Sequence, residues 1–475
     1  MKKCRQSQDK ASAGRPERMF EVINPDAAGI DVGSAEMWVC VPEGRAEPRR
    51  RPFGTDTLSL AAIAAWLKEC GVKTVALEST GVYWIPLFQV LENHGLEVYL
   101  VNSRHVKRVP GRPKTDPADC RWLQKLHACG LLSASFRPDA AICRLRSYQR
   151  HRGNLVRAAA KQVQYMQKAL REMNVLLDQA VSDVSGLTGM RIMDAIVGGQ
   201  RDPKKLAELA DPRVRKSSEQ IARALAGDYR PEHVFVLQQA LQAYRFVHTR
   251  IEACDREVES YLVELERQAG RLEAALPEGG PGGPTKRARR NTPDYDVQTH
   301  LYRLLGVDLT RVPGIGAETA QGLVSETGTD MSRWLTEKHF ASWLDLCPSP
   351  KISGGHVIGH QHRHSQNRAT LLFRQAAASL RESKSWLGAY YRRMKARLGP
   401  NAANKATAHK LARIYYRMLS RHVEYQDIGV AEYESRFRQR MRRNLERRAR
   451  EFGLELVPRQ PTAADPAGAQ EAHSR

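Results

Sequence analysis

Carboxylates stand in two of the most strand-like runs near the start of this chain, and that limits the folds open to it. Asp31 lies in Ala28-Gly-Ile-Asp-Val-Gly33, and Glu78 ends Thr74-Val-Ala-Leu-Glu78. A short apolar, β-rich run reads as a buried strand. A bare charge there costs several kcal/mol unless something compensates it. A divalent cation is the simplest compensation, because hard ions such as Mg²⁺ prefer carboxylate oxygens. Two such ions about 3.5–4 Å apart are a recurring device for phosphodiester cleavage.

Around these runs, strand-like and helix-like segments alternate. Residues 29–41 predict a strand pair or a strand with its turn, followed by a basic stretch through 45–53. Helical periodicity marks 58–70 and 84–94, strands fall at 73–78 and 97–101, and a further helix covers 116–129. That order predicts an α/β domain with a partly parallel sheet over residues 25–139. Helical spacing with abundant Gln, Arg, Lys and Glu then fills 140–276. It predicts two long antiparallel helices at 140–177 and 233–267, of coiled-coil type, around a smaller helical insertion at 187–229. These helices are also the expected dimerisation surface. Residues 277–299 read as a Pro/Gly linker with a basic cluster, 300–395 as a mainly α domain and 396–457 as a basic helical extension. The ends, 1–24 and 458–475, read as disordered.

Charge narrows the partners. The 475 residues carry 75 Lys and Arg against 52 Asp and Glu, a net charge of +23. That balance points to a polyanion, most simply nucleic acid. Apolar runs of about 18 residues are missing and no apolar segment follows Met1-Lys-Lys-Cys-Arg5, which argues against a membrane role and for a cytoplasmic protein. The eight cysteines form no Cys-x-x-Cys pair and no zinc-like spacing, so they read as reduced thiols.

A third acidic cluster, Lys114-Thr-Asp-Pro-Ala-Asp119, has two readings. Asp116 as N-cap, Pro117 at N1 and an acid at N3 suit any helix start. The same spacing puts both carboxylates at one helix end, where they can share a metal. Arg104, Lys107, Arg108, Arg112 and Lys114 before it form a basic lip able to hold a phosphate backbone.

Together, Gly29-Ile-Asp-Val-Gly33, Ala76-Leu-Glu-Ser-Thr-Gly-Val-Tyr-Trp84 and Lys114-Thr-Asp-Pro-Ala-Asp119 resemble the DEDD-type insertion-sequence transposases. This is the family of bridge-RNA-guided serine recombinases whose amino-terminal domain resembles the RuvC Holliday-junction resolvase. The resemblance implies an RNase H-like (RuvC-like) first domain in which Asp31, Glu78, Asp116 and Asp119 bind Mg²⁺, two ions in all. In that fold the glycine beside the central aspartate, here Gly33, lets backbone and phosphate approach closely. It also implies a DNA substrate, a structured noncoding guide RNA, and a homo-oligomer whose two domains act across protomers.

The carboxyl-terminal half adds a second motif set. Leu309-Thr-Arg-Val-Pro-Gly-Ile-Gly-Ala-Glu-Thr-Ala320 reads either as a plain helix-joining turn or as a helix-hairpin-helix element. In the second case Gly314 and Gly316 would let backbone amides meet a phosphate. Downstream stands Lys351-Ile-Ser-Gly-Gly-His356, predicted as an exposed loop, followed by Arg363-His-Ser-Gln-Asn-Arg368. By residue type Ser353 is a turn serine. The resemblance makes it the nucleophile, since the family carries its serine in a Ser-Gly-Gly loop. It then attacks the phosphate to leave a phosphoserine and a free 3′-hydroxyl, with Ser349 and Ser365 as rivals and Lys351, Arg363 and Arg368 as phosphate contacts. Many relatives have a Lys/Arg-Gly-Asn stretch at the last position, which this chain lacks. His356, His360, His362 and His364 alternate without cysteine partners and suit phosphate contacts or solvation better than zinc. Two other readings stay open: a metal-dependent junction-resolving endonuclease without a covalent intermediate, and an architectural nucleic-acid binder.

Overall fold

The computed structural model describes residues 21–102, 116–270, 273, 275–276, 291–348, 350–360 and 367–457, without the side chains of 116, 117 and 360. The expectations for 1–20, for the basic lip at 104–114, for 277–290, for Ser349, Arg363, Ser365, His362 and His364, and for 458–475 lie outside the described residues. Two compact units, Met1–Arg137 and Pro138–Arg475, make up the chain.

In the first unit, β1 (Ala27–Val32), β2 (Met37–Cys40), β3 (Arg50–Phe53), β4 (Thr74–Glu78) and β5 (Glu97–Val101) form one sheet in the order β3-β2-β1-β4-β5. Pairings β1/β4 and β4/β5 are parallel, while β2 is antiparallel to both of its neighbours. Helices α1 (Thr57–Glu69), α2 (Trp84–Asn93) and α3 (Asp116–Ala128) cover the sheet. Side chains alternate along each strand. Ala28, Ile30, Val32, Val75 and Leu77 point to one face and pack with Ile63 and Leu67 of α1 and Leu87 and Leu91 of α2. Ala76 and Val101 point to the other and pack with Leu123 and Leu126 of α3. Strand β3 falls in the stretch predicted only as basic. Its sequence Arg-Arg-Pro-Phe is half exposed at a sheet edge, where a proline is tolerated and the apolar alternation is absent.

The second unit is mostly helical. α4 (Ala140–Glu172) and α9 (Pro231–Gln268) run antiparallel, because Arg144 meets Glu264, Arg152 meets Asp255 and Glu172 meets His233. Arg152 and Asp255 are both buried and bond twice, at 2.5 and 3.0 Å, so each charge is compensated inside the pair. Short helices α5 (Leu177–Ala180), α6 (Leu187–Val197), α7 (Pro203–Glu208) and α8 (Ser218–Leu225) fill the insertion. Helix α10 (Val297–Leu305) begins inside the stretch predicted as linker.

The remaining elements are a 3-10 turn (Leu309–Arg311), α11 (Ala317–Thr327), α12 (Glu337–Trp343), the hairpin β6 (Pro350–Ser353) and β7 (His356–His360), α13 (Arg368–Ser379), α14 (Trp386–Leu398), α15 (Pro400–Arg421) and α16 (Val430–Glu451). Helix α15 is no extension. Its Tyr415 is fully buried against Phe340 and Phe373, with ring centroids 6.0 and 5.5 Å away, and its hydroxyl shares a 2.8 Å hydrogen bond with Thr327. Helix α16 has no buried residue, and its Tyr433 ring centroid lies 5.7 Å from that of Trp386 of α14. Among the described residues no helix is long and apolar enough to cross a membrane.

Candidate active site

The carboxylates of the first unit owe their placement to strand register. Ile30 of β1 pairs with Leu77 of the parallel β4, so the next residues, Asp31 and Glu78, stand at one level on adjacent strands. Neighbouring strands lie about 4.8 Å apart. Period-two alternation puts Asp31 on the face of Gly29, and Glu78 on the face of Thr74 and Ala76. Helix α3 covers that face: Thr74 Oγ1 is 2.9 Å from His127 Nε2, and a Cβ on Gly29 would fall 2.3 Å from the Gln124 nitrogen and 2.5 Å from the Cys120 oxygen. Glycine at 29 is what lets the helix backbone touch the strand.

The same contacts give the direction of α3. The Gln124 nitrogen and the Cys120 oxygen both lie over Gly29, and His127, further along the helix, meets Thr74, the register partner of Ala27. The first turn of α3 therefore starts toward the strand ends that carry Asp31 and Glu78. Asp119 is half-buried, and its Oδ1 is shielded from solvent. The Cys120 thiol is pushed up, first by its hydrogen bond with Cys40 and then by burial. His127 is driven down to about 4 by burial, which keeps it neutral in its bond to Thr74.

This donor set, all carboxylate oxygen, suits a hard divalent cation. Among the described residues no three Asp, Glu, His or Cys side chains already stand close enough to hold a metal ion, and the side chain of Asp116 is outside that set. Glu78 Oε1 accepts from Thr80 at 3.3 Å. Gly33 has a structural role in the turn after β1. A Cβ there would fall 2.3 Å from the Glu36 oxygen, so the β1–β2 turn itself requires glycine at this position.

In the second unit Ser353 is not in a loop. It ends β6 and pairs with His356 of β7 across the turn Gly354–Gly355, whose φ values are +54° and +78°. Positive φ at both positions is what a two-residue hairpin turn requires, and glycine meets it without strain. Ser353 and Lys351 are exposed, as are Ile352, Val357 and Ile358. Exposed Arg368 opens α13, capped by the Asn367 side chain, which accepts from the Ala369 amide at 2.9 Å. Gly314 is a packing glycine: φ is +92° and a Cβ would meet the Ala376 oxygen at 2.7 Å. Gly316 is the open N-cap of α11.

Helix α16 presents a basic stripe. Arg436, Arg440, Arg443 and Arg447 recur at three- and four-residue spacing along one flank, and Arg436 also pairs with Glu432. Neutralising phosphates makes binding salt-dependent. Changing these four arginines to glutamine should flatten the slope of log affinity against log salt by about 0.9 for each phosphate left unneutralised. The check is DNA binding by fluorescence anisotropy over a salt series. An unchanged slope would place the stripe away from the nucleic acid.

Comparison with known families gives two matches. The DEDD transposase family of the IS110 type matches residues 28–175, and the transposase family IS116/IS110/IS902 matches residues 308–392. Among curated proteins none matches the chain. The first match spans Asp31, Glu78, Asp116 and Asp119, and the second spans Gly314, Gly316, Ser353 and Arg368.

Proposed function

Because the chain belongs to the IS110-type DEDD transposases, we propose that it cuts and rejoins DNA strands of its own insertion element with the four carboxylates of its first unit and Ser353 of its second. The observation that carries this reading is the register of β1 and β4, which sets Asp31 beside Glu78 at the strand ends approached by the first turn of α3. Asp31, Glu78, Asp116 and Asp119 would hold Mg²⁺, two ions in the fullest form. When bound, the metal supplies charge neutralisation at the scissile phosphate. DNA is the substrate that membership of the family implies.

Ser353 attacks the phosphorus through Oγ. The Oγ–P bond forms, the bond to the 3′-oxygen breaks, and that oxygen leaves as a hydroxyl after taking a proton. A serine hydroxyl is a weak nucleophile and needs a base. His356 is its direct cross-strand partner, and such pairs have Cβ atoms about 4.5–5.5 Å apart on one face. We assign that imidazole the role of taking the proton, on the strength of this cross-strand pairing. Lys351, Arg363 and Arg368 are the cations to balance the charge gathering on the phosphorane. Reversal with the exchanged strand's 3′-hydroxyl releases the serine and completes the joining.

Site choice is assigned to a structured noncoding RNA, with which the net charge of +23 is compatible. The α4–α9 pair, read as a coiled coil within the chain, is the surface assigned to self-association. Reconstitution tests the whole reading: purified chain, element-end DNA, target DNA and the RNA transcribed beside the gene, in Mg²⁺. Recombinant product that disappears on chelation, or when the RNA is left out, is the expected result. Nicked junctions without joined product would favour a metal-dependent, structure-selective endonuclease instead.

A further inference from the structure

The sheet end that carries Asp31 and Glu78 has a second side. The turns leaving β1 and β4 close a recess of about 220 Å³ there. Its floor is Met37 and Leu60, and its walls include Ser34, Thr55, Val82 and Tyr83. Both floor residues belong to the core beneath α1 and α2, so the recess opens on the face opposite α3. The two strand ends lie between it and the carboxylates.

Val82 and Tyr83 remain 66% and 46% exposed, which is unusual for two large apolar side chains in sequence. They are held there by their neighbour. Trp84 is packed edge-on to Phe88 at 5.8 Å, and its Nε1 donates to the Gly81 oxygen at 3.2 Å. Gly81 turns the chain at φ +55° directly before them. The carboxylate chemistry uses Glu78 of the run Ala76-Leu-Glu-Ser-Thr-Gly-Val-Tyr-Trp84 and leaves Val82 and Tyr83 without a task.

No charged side chain is among the described lining residues, so the recess is unsuited to a phosphate. An apolar floor with hydroxyls on the wall suits an uncharged ring that carries polar edges. The volume is below the range for drug-sized ligands and fits one ring system. Ser34 follows Asp31 by three residues and Val82 follows Glu78 by four, so the recess sits at the same ends of β1 and β4 as the carboxylates, around the sheet edge from them.

We propose that this recess receives an unpaired nucleobase of the DNA strand being cut, the base beside the scissile phosphate, stacked on Tyr83. The proposal rests on the reading of the carboxylate end as the cutting site. Taking a base out of its stack exposes the neighbouring phosphate, and an aromatic side chain accepts any base by its π face.

The test uses the full chain and element-end DNA made single-stranded at the junction, in Ca²⁺ to hold it uncut. 2-Aminopurine is placed at successive positions. At one position wild type and Tyr83→Phe should quench its fluorescence equally, and Tyr83→Ala at least about threefold less. Ser34→Trp, which fills the recess from the opposite wall, should lose the quench too. An abasic residue at that position should weaken wild-type binding by about 10-fold and Tyr83→Ala binding no further. Asp31→Asn should keep the quench, which separates this outcome from the cutting chemistry. Losses from the abasic residue and from Tyr83→Ala that multiply, or no position that depends on Tyr83, would overturn the proposal. Coupling found only with the analogue in the noncoding RNA would overturn the assignment to DNA.

Discussion

Asp31→Asn and Glu78→Gln should each lower strand exchange by at least about 10²–10³-fold, the scale of losing one electrostatic stabiliser of a transition state. Each change keeps the side-chain shape and removes a charge from the sheet end where β1 and β4 run side by side. Stability should move the other way in the absence of metal. Carboxylates on adjacent strands repel one another, so removing one relieves the folded state. Divalent cation should then raise the unfolding temperature of wild type, since a ligand that binds only the folded chain stabilises it by mass action. The same cation should raise that of Asp31→Asn much less. The measurements are a product assay and thermal unfolding with and without Mg²⁺. Full exchange in both variants would remove the carboxylates from the chemistry, as would equal metal stabilisation of wild type and Asp31→Asn. A purely architectural binder would behave in that way.

The strand ends were legible because an acid that interrupts or ends an apolar run is costly, and both runs became central strands with their acids on one face. The role of Gly29 was also open to reading, since an isolated glycine in a strand signals close backbone approach. Sequence places Gly29 and Gly33 equally near Asp31, and only the packing of α3 shows which glycine admits a neighbour. Helix α15 shows a second kind of limit. Its arginines and lysines suggest an extension, yet Ala403, Leu411 and Tyr415 line a buried face that the charge count hides. The hairpin at 350–360 was illegible for the opposite reason. Ile352, Val357 and Ile358 are exposed, so no apolar alternation marks its strands. The recess at Val82 and Tyr83 draws on three separate stretches, the β1–β2 turn, the entry to α1 and the entry to α2. No local pattern announces such a site.

Ser353→Ala should still bind DNA yet form no protein-linked DNA and no recombinant product, a loss limited only by detection. The hairpin holds its backbone through the Gly354–Gly355 turn, so the hydroxyl can be removed without disturbing the fold. His356→Gln tests the proton path. It keeps the hairpin and should slow adduct formation by about 10²–10⁴-fold, the usual worth of a positioned base. Ser349→Ala and Ser365→Ala should retain both adduct and product. The assay is denaturing-gel detection of protein-linked DNA from a suicide substrate whose cleaved strand cannot rejoin. An adduct that survives in Ser353→Ala and vanishes in one of the other two variants would move the nucleophile. Wild type that exchanges strands with no adduct at any time would take the serine out of the mechanism and leave the cutting to the carboxylates alone, with water as nucleophile. The two residue sets therefore make separable claims. Asp31→Asn should stop the adduct as well as the product, since charge on the phosphate must be balanced before Oγ can attack, whereas Ser353→Ala should leave metal stabilisation of the first unit unchanged.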